Sequence, residues 1–87
     1  MNKTVIKFSA TWCEPCKKLK PVFDKVVSKM NNVKAIEIDV ESEPNITSSY
    51  KLRSVPTILV TDDNDEVLAM KTGFMTEEQL TKFIEES

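Results

Sequence analysis

Two cysteines separated by two residues, Cys13 and Cys16, are the side chains of this sequence best equipped for chemistry. Disulfide exchange needs one thiolate that attacks and a second thiol that resolves the mixed disulfide. The run Trp12-Cys13-Glu14-Pro15-Cys16-Lys17 lies where a β-prone segment gives way to a helical pattern, so Cys13 is placed at a helix N-terminus. Unpaired N–H groups and the positive end of the helix dipole favour a thiolate there. Two intervening residues bring Cys16 round to the same face. Helical neighbours three apart have Cβ atoms about 5–6 Å apart, against roughly 3.5–4.5 Å for a disulfide, so the first turn must adjust to close the bond. A loop this short removes little entropy from the unfolded chain. The pair is badly placed for stability and well placed for chemistry. A zinc site would need two further Cys or His ligands. The chain has no histidine and no third cysteine, so no metal is expected and the cysteine pair is the only redox group in view.

The elements around the pair follow from periodicity. Thr4 to Phe8 is a short run of Val, Ile and Phe interrupted by Lys7, and reads as a strand leading into the loop Ser9-Ala10-Thr11-Trp12. Beyond Cys13, Leu19, Val22, Phe23, Val26, Val27 and Met30 fall on one helical face. Pro15 sits in the first turn, where a missing N–H costs nothing. Pro21 lies inside the pattern, where it removes a hydrogen bond and predicts a kink. Ile36, Ile38 and Val40 alternate with Glu37 and Asp39 as a second strand. Glu43-Pro44 opens a short helix with Ile46 and Tyr50 on its expected inner face. Thr57 to Val60 reads as a buried strand. The cluster Asp62-Asp63-Asn64-Asp65 turns it into Glu66 to Met70, giving a hairpin. Thr76 and Gln79 form a capping-box pattern for a last helix, with Met75 able to staple against Leu80, and Leu80, Phe83 and Ile84 facing inward. The order β-α-β-α-β-β-α predicts an α/β domain with one central sheet covered by helices. Its strand order is not legible from periodicity.

Bulk properties narrow the partners. With 87 residues the chain makes a single domain, and its net charge of −2 offers no basic footprint for nucleic acid. No segment approaches the roughly 20 apolar residues that span a bilayer. No secretory h-region follows the N-terminus, because Lys7 interrupts the first apolar run, and a start at Met1 favours the cytoplasm.

Phe8-Ser9-Ala10-Thr11-Trp12-Cys13-Glu14-Pro15-Cys16-Lys17 resembles the active-site segment of the thioredoxin family, Val55-Pro56-Thr57 resembles its cis-proline segment, and Gly73 matches a glycine near its substrate groove. The resemblance implies a thioredoxin-like fold: a four-stranded mixed sheet flanked by three helices, with an antiparallel hairpin beside a parallel β-α-β unit. It implies a protein-disulfide reductase and electron carrier in which Cys13 is the nucleophile and Cys16 the resolving thiol. Trp12, Val55, Pro56 and Gly73 would meet the client, Pro56 being cis and its neighbouring backbone pairing with an extended peptide. The implied partners are disulfide-containing proteins, ribonucleotide reductase among the candidates, and a flavoprotein reductase or glutathione as electron donor. A monomer is expected.

Three departures stand out. The strand and helix that typical members carry before the segment matching Thr4 to Phe8 have no counterpart, which brings the chain toward glutaredoxin size. The family's buried acid, thought to help the resolving thiol lose its proton, is replaced by Lys7. Glu14 stands where glycine is usual. Lys7 therefore has two readings: an ammonium turned toward the dithiol that favours thiolate, or a side chain that snorkels to water. Glu14 opposes a thiolate at Cys13 by only ~1 kcal/mol in water-like surroundings, and it reads better as a helix-start acid paired with Lys18. Glutathione-dependent chemistry is the nearest alternative. Glutaredoxins, however, usually place proline directly after the first cysteine and carry Gly-Gly-x-Asp after the hairpin, where this chain has Thr72-Gly73-Phe74-Met75. A non-catalytic binding subunit built on the same fold is the alternative from another class.

Overall fold

The computed structural model describes residues 2–52 and 54–87. Four strands and three helices follow in the expected order: β1 (Lys3–Ser9), α1 (Glu14–Ser28), β2 (Val33–Asp39), α2 (Pro44–Ser49), β3 (Thr57–Thr61), β4 (Val67–Thr72) and α3 (Glu77–Glu86). The sheet order is β2-β1-β3-β4. β1 pairs in parallel with β2, from Lys3 opposite Val33 to Ser9 opposite Asp39. β3 runs antiparallel to both β1 and β4, with a register irregularity at Val60/Thr61. The parallel pair is joined through α1, a crossover that brings Cys13 to the C-terminal end of β1.

Two clusters of buried residues divide the core between the faces of the sheet. Val5, Ile58 and Val60 meet Leu19, Phe23 and Val26 of α1, Leu80 and Ile84 of α3, and Met75. Each such side chain contributes about 1.5–3 kcal/mol relative to exposure. On the other face Ile6, Phe8 and Leu59 pack with Ile36, Ile38, Val40, Tyr50 and Leu52. The Phe8 and Tyr50 rings lie 5.7 Å apart, tilted by 58°.

The local signals place most ends. α1 continues through Pro21, with Pro15 in its first turn. Thr76 and Gln79 complete a reciprocal capping box on α3. Asp62 accepts from the Asn64 and Glu66 N–H groups at 2.8 and 3.0 Å and closes the β3–β4 turn. One expectation fails in α2. Ile46 is exposed, and the inward side of this helix is formed by Thr47 and Tyr50. With only six residues, α2 turns one narrow edge to the sheet, and Thr47 is held to Val40 and Glu43 by its hydroxyl, which donates to their carbonyl groups.

Candidate active site

Cys13 is the N-cap of α1, with extended backbone (φ −89°, ψ 111°), and its Sγ accepts from the Cys16 N–H at 3.2 Å. This is one of the orphan donors that every helix start leaves over. Here a sulfur takes the place of the oxygen that normally caps it. Cys13 and Cys16 are joined as a disulfide, with Cα atoms 5.2 Å apart. Both residues are only 4 % exposed, and they form a small cluster with Ala10, against which Val40 and Val55 pack.

Trp12 is 65 % exposed beside the pair. The Val55–Pro56 peptide bond is cis. The Val55 carbonyl oxygen lies 3.7 Å from Cys13 Sγ, so the loop before β3 meets the start of α1 at the sulfur. Gly73 adopts φ +97°, a conformation that side chains disfavour, and its N–H donates to the Pro56 carbonyl at 2.8 Å. Trp12, Val55, Pro56 and Gly73 are thus gathered from three separate stretches of sequence around one end of the sheet. An apolar cleft of about 390 Å³ adjoins them, lined by Trp12, Val40, Thr47, Leu52, Ser54 and Val55. A larger cavity of about 510 Å³ opens at the opposite end, between Lys3, Asn32 and Ile84, and contains none of the residues singled out from the sequence.

Glu14 is exposed at the helix start, as the helix-start reading has it, but its partner is Lys17 at 3.1 Å in place of Lys18. Lys17 lies three positions on, and (i, i+3) neighbours share a helix face as (i, i+4) neighbours do.

Lys7 does not snorkel. It is 1 % exposed, on the same face of β1 as Val5, and its ammonium forms an ion pair with Glu37. Register explains the pairing: Lys7 and Glu37 are opposite each other in the parallel β1–β2 ladder, and their side chains leave the sheet together. The ammonium also lies 5.3 Å from the centroid of the Phe23 ring, within cation–π range. The second oxygen of Glu37 faces Lys20 of α1 at 3.5 Å, and Lys20 reaches Asp24 at 3.7 Å. The hydrogen bond from Lys7, reinforced by the charges of Lys7 and Lys20 and opposed by partial burial, holds the Glu37 carboxyl below its ordinary range. Glu37 was not evident in the sequence, where it reads as the outward half of an alternating strand. The available signal was Lys7 itself, because an ammonium within a buried strand requires a counter-charge.

Among the described residues no group of three or more His, Cys, Asp or Glu side chains is arranged to hold a metal ion. What the site offers is a pair of sulfurs at a helix N-terminus, a capping N–H on the first, and the exposed Trp12 ring and the cis Val55–Pro56 segment beside them. Such a fold and site define a thiol–disulfide oxidoreductase. The chain belongs to the thioredoxin family, whose profile matches residues 1–86. It is 34% identical over 84 residues to thioredoxin of Buchnera aphidicola subsp. Acyrthosiphon pisum, covering 95% of this chain and 77% of that protein. A mutant thioredoxin from Halobacterium salinarum superposes with a TM-score of 0.88 at 29% identity, over 98% of this chain and 74% of the other. A solved malarial protein, 22% identical, shares the fold with a TM-score of 0.89 and is covered over 97% of its length.

Proposed function

We propose that this chain is a cytoplasmic electron carrier that reduces protein disulfides, with Cys13 as nucleophile and Cys16 as resolving thiol. The observation that carries the assignment of roles is the N–H of Cys16 directed at Cys13 Sγ from the first turn of α1. A negative sulfur at Cys13 would keep that hydrogen bond in charge-assisted form and face the helix dipole. The reaction then follows in two displacements. Cys13 thiolate attacks one sulfur of the client disulfide and forms a mixed disulfide with it, while the other client sulfur leaves as a thiolate and takes up a proton. Cys16, having lost its proton, attacks Cys13 Sγ and expels the second client thiolate. The client gains two electrons and two protons, and the Cys13–Cys16 disulfide results.

Trp12, Val55, Pro56 and Gly73 are the client-facing residues in this reading. The backbone near Val55 would pair with an extended segment around the client disulfide, and the adjoining apolar cleft would take a neighbouring side chain. Glu14, exposed and paired with Lys17, has only a minor influence on Cys13. Thr72-Gly73-Phe74-Met75 has no acid to meet the glutathione backbone, so a flavoprotein reductase is the favoured electron donor over glutathione. The clients are disulfide-containing proteins, such as ribonucleotide reductase, and the working unit is a monomer that touches neither nucleic acid nor membrane.

Two measurements test this. Cys16→Ser should accumulate a covalent adduct with a disulfide client such as insulin, whereas Cys13→Ser should form none. Adducts formed equally by both variants would reverse or abolish the assignment of roles. The reduction potential of the pair, equilibrated against thiol buffers, should fall near that of a reductant, about −270 mV. A value near about −120 mV, typical of a strong oxidant, would overturn the direction proposed.

A further inference from the structure

A lysine that is 1 % exposed in a domain this small needs a reason. Buried ion pairs are weak contributors to stability, because the loss of hydration offsets much of their attraction. Replacing Lys7 by an apolar residue would suit the Val5, Phe23 and Ile58 side of the core equally well. The surroundings offer another reason. Lys7, Glu37 and Cys16 line one cavity of about 280 Å³, which shares no lining residue with the cleft beside Trp12 and Val55. Cys16, and not Cys13, faces this space. Ser9, Thr11 and Asp39 also line it, so Cys16 shares the cavity with polar side chains besides Lys7 and Glu37.

We propose that the Lys7–Glu37 pair sets the ionisation of Cys16: the ammonium stabilises the resolving thiolate from behind, and Glu37 holds that ammonium in place while cancelling part of its field. Other charged groups face the same space, Asp39 from β2 and Lys17 and Lys20 from α1, with Asp24 drawing on Lys20 from the outside. Lys17 is engaged by Glu14, and Lys20 is shared between Asp24 and Glu37. Lys7 is the one cation of the group shielded from water. Its field is therefore screened least. Lys7 and Glu37 are positioning residues: they act on the charge of a sulfur without entering the bond exchange. The proposal rests on Cys16 being the resolving thiol, and its test is independent of client reduction.

In a Cys13→Ser background Cys16 is the only thiol, and its thiolate absorbs in the far ultraviolet. Titrating that absorbance, with circular dichroism to confirm folding at each pH, reads Cys16 directly. Lys7→Met should raise the midpoint by about one pH unit, a tenfold loss of thiolate at any pH below it. Glu37→Gln should lower it, by unmasking the ammonium, and Lys7→Arg should hold it near the parent value because the charge is kept. Opposed shifts are the signature, since a loosened sheet would move both variants the same way. An unmoved midpoint in Lys7→Met, or shifts of one sign in Lys7→Met and Glu37→Gln, overturns the proposal. Should Lys7→Met fail to fold, Glu37→Gln with Lys7→Arg decides alone, and a midpoint that does not fall in Glu37→Gln refutes it. An adduct lost in Cys16→Ser would instead refute the assignment of roles while leaving this titration meaningful.

Discussion

The two faces of the sheet are covered very unequally. One carries α1 and α3, which together with β1, β3 and Met75 form a cluster of nine deeply buried residues. The other carries only the six-residue α2, three deeply buried residues, and a fringe of half-buried ones. Active-site components come from both. α1, which presents the two sulfurs, is anchored in the thick face, while the apolar cleft beside Trp12 is floored by Val40, Thr47 and Leu52 from the thin one. The difference separates two demands: a helix N-terminus must be held rigidly to keep its N–H groups on a sulfur, whereas a surface that accepts varied clients has to yield. Local stability follows buried apolar contact. The thin side is therefore the one expected to open first.

The sharpest way to break this comparison is to cut into each face. Phe23→Ala removes a ring buried among Val5, Leu19 and Leu80 and should cost about 3–5 kcal/mol, read as a fall in the denaturant midpoint. Tyr50→Ala removes a half-buried ring packed at a tilt against Phe8 and should cost about 1–2 kcal/mol. Equal losses would mean that the two faces are equally committed to the fold. Hydrogen exchange sharpens the point: Tyr50→Ala should speed exchange in α2 and leave α1 protected.

A smaller effect concerns the polar patch in the thick face. Glu37 is held below its ordinary range, first by the hydrogen bond from Lys7. A carboxylate with a depressed folded-state pKa contributes stability that is fully present above its unfolded value, near about 4.3, and is lost as pH falls through the folded value. Wild-type protein should therefore lose stability on acidification from pH 5 downward more steeply than Glu37→Gln. Because the Glu37 side chain is 43 % exposed, solvent screening keeps the difference small. Parallel acid-unfolding curves would show that the pair contributes nothing to the pH dependence.

How far the sequence spoke depended on whether the deciding interaction was local. The capping box at Thr76 and Gln79, the Asp62 turn and the apolar stripe of α1 are each written within a few residues, and each is found. The cysteine pair at a helix start is equally local. Lys7 showed only that something unusual had to happen in β1, because its partner lies 30 residues away and meets it through strand register. The strand order β2-β1-β3-β4 is likewise non-local: the family resemblance supplied only a hairpin beside a parallel β-α-β unit, and the order itself comes from the structure. Glu14 and its lysine show the limit even within one turn, since Lys17 and Lys18 are both in reach and packing, not spacing, chooses between them.

Ile46 is the smallest and most discriminating case. Its spacing of four from Tyr50 predicts a common inner face, yet Ile46 is 37 % exposed and Thr47 takes the inward position. The helix is too short to bury a stripe: six residues give fewer than two turns, so its orientation is set by Tyr50 and the Thr47 hydroxyl more than by any hydrophobic face. Ile46→Ser should then change stability by no more than about 0.5 kcal/mol, within the range of ordinary surface substitutions. Denaturant unfolding of Ile46→Ser beside Tyr50→Ala makes the comparison direct. A loss at Ile46 matching that at Tyr50 would mean that α2 buries the face its sequence pattern advertises. The thin side of the sheet would then be better covered than the contacts of Tyr50 alone imply.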